Sequence, residues 1–170
     1  GTVSFIPDAA SGTFRIHTGT NATQTLGDVV VNKTGTTMQL RTAFKCSSLT
    51  ITAGTFDTYS TLDNALTVTG ATDVAGTLTL NGSTCSFGDG GYTGHYGLRA
   101  TGSSGVITAD ADSTVAMSSL YAADNAGINI ALSGTNTINK YRASNNMMIR
   151  LTNNTVSKVP FVIVSAFNDI

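Results

Sequence analysis

The chain has no glutamate and no tryptophan, only two prolines, two cysteines and two histidines, and 11% charged residues. Each shortage excludes something. Without glutamate, and without Ala- or Leu-rich helical patterning, long amphipathic helices lack their usual material. A net charge of −1 gives no general basic excess for a polyanion, so no nucleic-acid partner is expected. No run of 18 apolar residues occurs, so no membrane span is expected. Cys46 and Cys85 have no CxxC partner, which argues against a zinc site. With only His17 and His95, and no GxSxG motif, a nucleophilic triad has little to draw on. No glycine-rich phosphate loop precedes a helix.

What the chain does have is threonine (29 residues), glycine (18), serine (16) and asparagine (13), with 41% apolar residues and a length that suits one domain. Threonine is β-branched and fits a pleated, half-exposed surface, while Gly, Asn and Asp supply turns. The apolar share is too high for a disordered chain. An all-β domain follows.

Its internal organisation is a loose repeat. The stretches DVVVNKTG (28–35), SLTITAG (48–54), ALTVTG (65–70), TLTLNGS (77–83), GLRATGS (97–103) and INIALSG (128–134) are each a short alternating strand ending in a glycine. Period-two alternation sends Leu49 and Ile51 to one face and Thr50 and Thr52 to the other. Regular glycine corners and outward Thr, Asn and Ser favour a parallel β-solenoid, whose coils stack on one another. An antiparallel β-sandwich or jelly roll is the alternative. One all-β domain over 1–170 is expected, with 1–25 as an N-terminal cap, 26–139 as coils, and 140–170 as a C-terminal cap or oligomerisation segment.

The series DVVVNKTGTTMQL, SLTITAGTFDT and ALTVTGATDVAGTLTLNGSTCSFG, within residues 28–88, resembles the repeats of right-handed parallel β-helix proteins of phage virions and bacterial surfaces. The resemblance covers about 60 residues. It implies the solenoid architecture, and it leaves activity open because such folds serve as stalks, fibres, adhesins and enzymes.

Chemistry-bearing residues are few. In the solenoid reading Cys46 and Cys85 point inward with Phe44 and Phe87, about two coils apart. At about 4.8 Å per coil that is too far for a disulfide. Asp110 and Asp112 would lie about 6.6 Å apart on a strand, a spacing compatible with glycoside cleavage. They lack basic neighbours, and solvated aspartates at a turn are the expected state. The pairs Thr50/Thr52, Thr67/Thr69 and Thr77/Thr79 raise ice binding as a third reading, with the first two pairs one coil apart. No catalytic residue, metal site or cofactor is expected.

Contact surfaces are better represented. SFGDGGYTGHYGLRATG (86–102) interrupts the repeat with five glycines between 88 and 97. It reads as a projecting loop in which Asp89, Tyr92, His95 and Tyr96 would touch a partner, possible glycans included. Between Ala126 and Asn168 there is no acid, yet Lys140, Arg142, Arg150 and Lys158 occur. A solvated face is the default reading of such charges, and with the adaptable Met147 and Met148 a docking surface for an acidic neighbour is the sharper one. The unalternating run Phe161, Val162, Ile163 and Val164 is expected to be covered on both faces, by a second layer, a cap or another subunit. The functional expectation is a non-enzymatic, homo-oligomeric structural protein of a virion or an extracellular surface. A phage fibre or capsid-decoration component stands first, and a bacterial adhesin or carbohydrate-binding β-helix second.

Overall fold

A computed structural model describes residues 1–5, 11–18, 25–88, 97–102, 105–118, 120–122, 129–138, 141–143, 149–156 and 162–164. Its strands are β1 (Thr2–Phe5), β2 (Gly12–Ile16), β3 (Leu26–Leu40), β4 (Phe44–Asp57), β5 (Leu66–Val68), β6 (Thr72–Val74), β7 (Thr77–Thr79) and β8 (Thr84–Phe87). They continue as β9 (Leu98–Ala100), β10 (Val106–Ala109), β11 (Thr114–Met117), β12 (Leu120–Ala122), β13 (Asn129–Ile138), β14 (Tyr141–Ala143), β15 (Ile149–Val156) and β16 (Val162–Val164). Every pairing among them is parallel. The chain is a parallel β-solenoid, and the sandwich alternative is set aside.

The pairings resolve into three columns, one per face of the coil. Face one stacks β1, β3, β4, β6, β9, β12, β14 and β16. Face two stacks β2, the second half of β3, the end of β4, β7, β10, β13 and β15. Face three stacks the start of β4, β5, β8, β11 and the second half of β13. The stretches expected as caps include strands of these columns: β1 and β2 at one end, β14, β15 and β16 at the other.

Each face contributes two inward side chains, because alternation along a short strand leaves room for no more. The coil through β5, β6 and β7 buries Leu66, Val68, Thr72, Val74, Leu78 and Leu80. The next buries Cys85, Phe87, Leu98, Ala100, Ile107 and Ala109. Large and small residues alternate among these buried positions. Phe44 and Phe56, from faces three and two of one coil, meet edge to face with ring centroids 5.7 Å apart.

The corners explain why the sequence repeat looked irregular. Gly35, Gly54 and Gly102, all with positive φ, close the corner between faces one and two, whereas Gly134 (φ 81) closes the corner between faces two and three. Gly70 lies between faces three and one, where its N–H donates to the Ser47 carbonyl at 2.7 Å. The glycines therefore mark thirds of a coil rather than whole coils. The true period runs from Val29 to Leu49, Thr72, Leu98 and Leu120, with intervals of 20, 23, 26 and 22 residues.

Corner backbone is stacked as tightly as strand backbone. Gly76 N–H donates to Ile51 O at 2.9 Å, and Val106 N–H donates to Gly76 O at 2.9 Å. A side chain at Gly54 would run into the Lys33 carbonyl of the coil beneath, and φ there is +84°. Gly54→Ala is therefore expected to cost about 2 kcal/mol or more, since strain at a left-handed position adds to the clash. Urea unfolding of the variant beside the parent chain checks this.

Candidate contact surface

The stretch expected as a projecting loop is placed by its ends. β8 finishes at Phe87 on face three and β9 starts at Leu98 on face one. Gly88 N–H donates to Val68 O at 2.8 Å, and Gly97 O accepts from Thr72 N–H at 3.1 Å. Elsewhere the same corner is crossed between Cys46 and Leu49, Val68 and Thr72, or Met117 and Leu120. Residues 88–97 are thus inserted at a corner. Asp89, Tyr92, His95 and Tyr96 lie outside the described residues.

The C-terminal docking residues divide among the columns. Arg142 continues the face-one row Asp73, Arg99, Tyr121, and Arg150 lies on face two above Ala131. Val162, Ile163 and Val164 form β16, in register with Tyr141, Arg142 and Ala143. Lys140, Met147, Met148, Lys158 and Phe161 lie outside the described residues.

The threonine pairs need correction. Thr50 is on face one, Thr67 on face three and Thr77 on face two. Coils of 20 residues or more carry a 17-residue step onto a different face. Threonines that do stack include Thr13, Thr37, Thr55 and Thr77 on face two, and Thr84, Thr114 and Thr135 on face three. Beside the first row the next outward positions hold Arg15, Gln39, Asp57 and Thr79.

A second excursion, which the sequence reading missed, leaves the corner between faces two and three. Thr58 to Ala65 connect β4 to β5, and the loop is anchored to the coils on both sides. Asn64 Nδ2 donates to Leu40 O at 3.0 Å on one side. On the other, Gly82 N–H donates to Asp63 Oδ1 at 3.2 Å and Asn81 Nδ2 to Asp57 Oδ1 at 2.7 Å. Tyr59 sits at φ 71° and Asp63 at φ 45°, conformations that cost a β-carbon residue energy and are held by those bonds. The Arg41 guanidinium lies 4.4 Å from the centre of the Tyr59 ring. Leu62 is 52% exposed. Hydrogen bonding from Thr61 and Arg41, with the positive charge of Arg41, holds the Tyr59 hydroxyl below the ordinary phenol range. The available signal was DTYSTLDNA, a cluster of turn residues between two apolar-alternating runs.

Beneath this loop the polar side chains are spent on neighbouring coils. Asp57 accepts from Gln39 Nε2 at 3.1 Å, from the Tyr59 N–H at 2.8 Å and from Asn81. Buried Thr58 donates to Leu80 O at 2.7 Å and accepts from Ser83 Oγ at 2.8 Å. On face one, Arg99 Nε meets Asp73 Oδ1 at 2.6 Å across adjacent coils.

Asp110 and Asp112 follow the end of β10 and are exposed at a turn. No group of three metal-ligating side chains occurs among the described residues. Cys46 and Cys85 are both free and buried on face three. Comparison with family models, with curated proteins and with solved structures gives no match.

Burial pushes both thiols up to about 12, with the Asp28 charge adding to the effect at Cys46. Such thiols are poor nucleophiles. In the unfolded chain each would ionise near 9.0. The stability that the neutral thiols contribute is thus complete below about pH 9 and is lost as pH rises toward 12. Denaturant unfolding at pH 8 to 11 should show this alkaline loss, and Cys46→Ala/Cys85→Ala should flatten it. A thiol reagent should modify neither cysteine until the chain unfolds.

Proposed function

We propose that the chain is a non-enzymatic structural protein, a rigid β-solenoid that assembles with copies of itself and presents contact surfaces in a virion or on a cell surface. A phage fibre or capsid-decoration role fits best. One observation carries the reading: polar side chains of the central coils join one coil to the next. Asp57, Thr58, Asn81 and Ser83 link three successive coils, and Asp73 with Arg99 links two. Six inward positions per coil are filled by packed side chains. The molecule spends its residues on stiffness.

A loop leaves the regular coil at 58–65, the sequence inserts residues 88–97 at another corner, and both segments carry tyrosine. Tyrosine gives broad contact area at low entropic cost. On this account the coils supply a frame and the corners supply specificity.

Light scattering and negative-stain electron microscopy of the purified chain test the proposal. A defined oligomer or a filament is expected. A monodisperse monomer over the micromolar range, attached to no larger particle, would contradict it.

A further inference from the structure

The corner between faces two and three carries charge of opposite sign at its two ends. The face-two register aligns Gln39, Asp57, Thr79 and Thr108 on successive coils. Two residues past each of these positions, just beyond the strand ends, the chain holds Arg41, Tyr59, Asn81 and Asp110. The Asp110 N–H donating to Asn81 O at 2.9 Å confirms that alignment. Arg41 and Asp110 therefore stand three coils apart, about 14 Å at the usual strand spacing.

Neither end is neutralised locally. The one ion pair among the described residues joins Arg99 to Asp73, on another face. Asp110 and Asp112 are exposed at their turn, and Arg15, in the neighbouring outward row, is exposed beside the Arg41 end. Between the two ends lies the loop that presents Tyr59 and the 52% exposed Leu62. The edge thus runs from positive at Arg41, past the loop that presents Tyr59 and Leu62, to negative at Asp110.

Such a sequence is self-complementary under a two-fold rotation. A dyad between the Tyr59 and Asn81 levels sets Arg41 against the Asp110 of the partner subunit and lays the two Tyr59–Leu62 loops side by side. The reverse contacts follow by symmetry, as an isologous interface requires. We infer that this corner is an interface between two antiparallel copies of the chain, with Arg41–Asp110 contacts at both ends and the Tyr59–Leu62 loop at its centre. The inference rests on the reading of the chain as self-assembling. Aromatic and arginine side chains with an apolar centre suit such a role.

Sedimentation of the full chain at low and high salt tests it, with Arg41→Asp, Asp110→Arg and the double variant. Each single reversal places like charges together at both ends and is expected to weaken the dimer about tenfold or more. The double variant restores opposite charges and should recover parental affinity to within about threefold. Raising salt should weaken the parental dimer and leave the single reversals less affected. Should Arg41→Asp fail to fold because its stacking on Tyr59 is lost, Asp110→Arg compared with Asp110→Asn decides, with reversal expected to weaken the dimer more than neutralisation. Single reversals that leave association unchanged, or a folded double variant without recovery, overturn the interface. An oligomer insensitive to these substitutions leaves self-assembly standing and removes this interface; a monomer at every concentration removes both.

Discussion

Parallel, in-register backbone pairing from coil to coil is the constraint on which everything else in this molecule depends. Strands of three or four residues cannot hold themselves together. Here those between the ends are bonded to the coil before and the coil after, and that stacking fixes which side chains face inward. A slip of one residue would turn Leu66 and Val68 outward and bring Thr67 in. Register and core composition therefore enforce one another. The cost is open edges at the solenoid ends, and an edge of unpaired backbone must be covered, blunted or used for assembly.

Two kinds of side chain reinforce the ladder without entering the core. Glycines at the corners let one coil approach the backbone of the next, as Gly54 does above the Lys33 carbonyl. Polar side chains reach along the rod: Ser48 donates to Asp28 at 2.7 Å, Gln39 to Asp57, and Arg99 to Asp73. These bonds join residues some 18 to 26 positions apart in sequence, one coil in every case. Asp28, Asp57 and Asp73 each find a partner one coil away.

Much of the fold was legible in the sequence, and the reasons are specific. LTIT and LTVT alternate cleanly, so Leu49, Ile51, Leu66 and Val68 were readable as core. Cys46 and Cys85 kept phase with Phe44 and Phe87 and are buried with them. The insertion after Phe87 stood out because glycine and tyrosine broke the repeat. Coil length was misjudged, since glycines at different corners look alike in one dimension; the threonine pairs were consequently set on the wrong faces. The loop bearing Tyr59 escaped notice because its anchors, Leu40, Asn81 and Gly82, lie about one coil away in sequence. Its conformation is a tertiary property, and local propensity carries little trace of it.

The surface reading follows from this geometry: a rod stiffened along its length differs from coil to coil only at its corners and outward rows. Distance measurement between spin labels tests the stacking most directly. Thr13, Thr37, Thr55, Thr77, Val106 and Asn129 form one column on face two by register. Labels at Thr13 and Val106 are four coils apart, and those at Thr13 and Asn129 five, which predicts narrow distributions near about 19 and 24 Å. A difference of one coil spacing between the two pairs supports the three-faced solenoid. Equal, reversed or broad distances would contradict it.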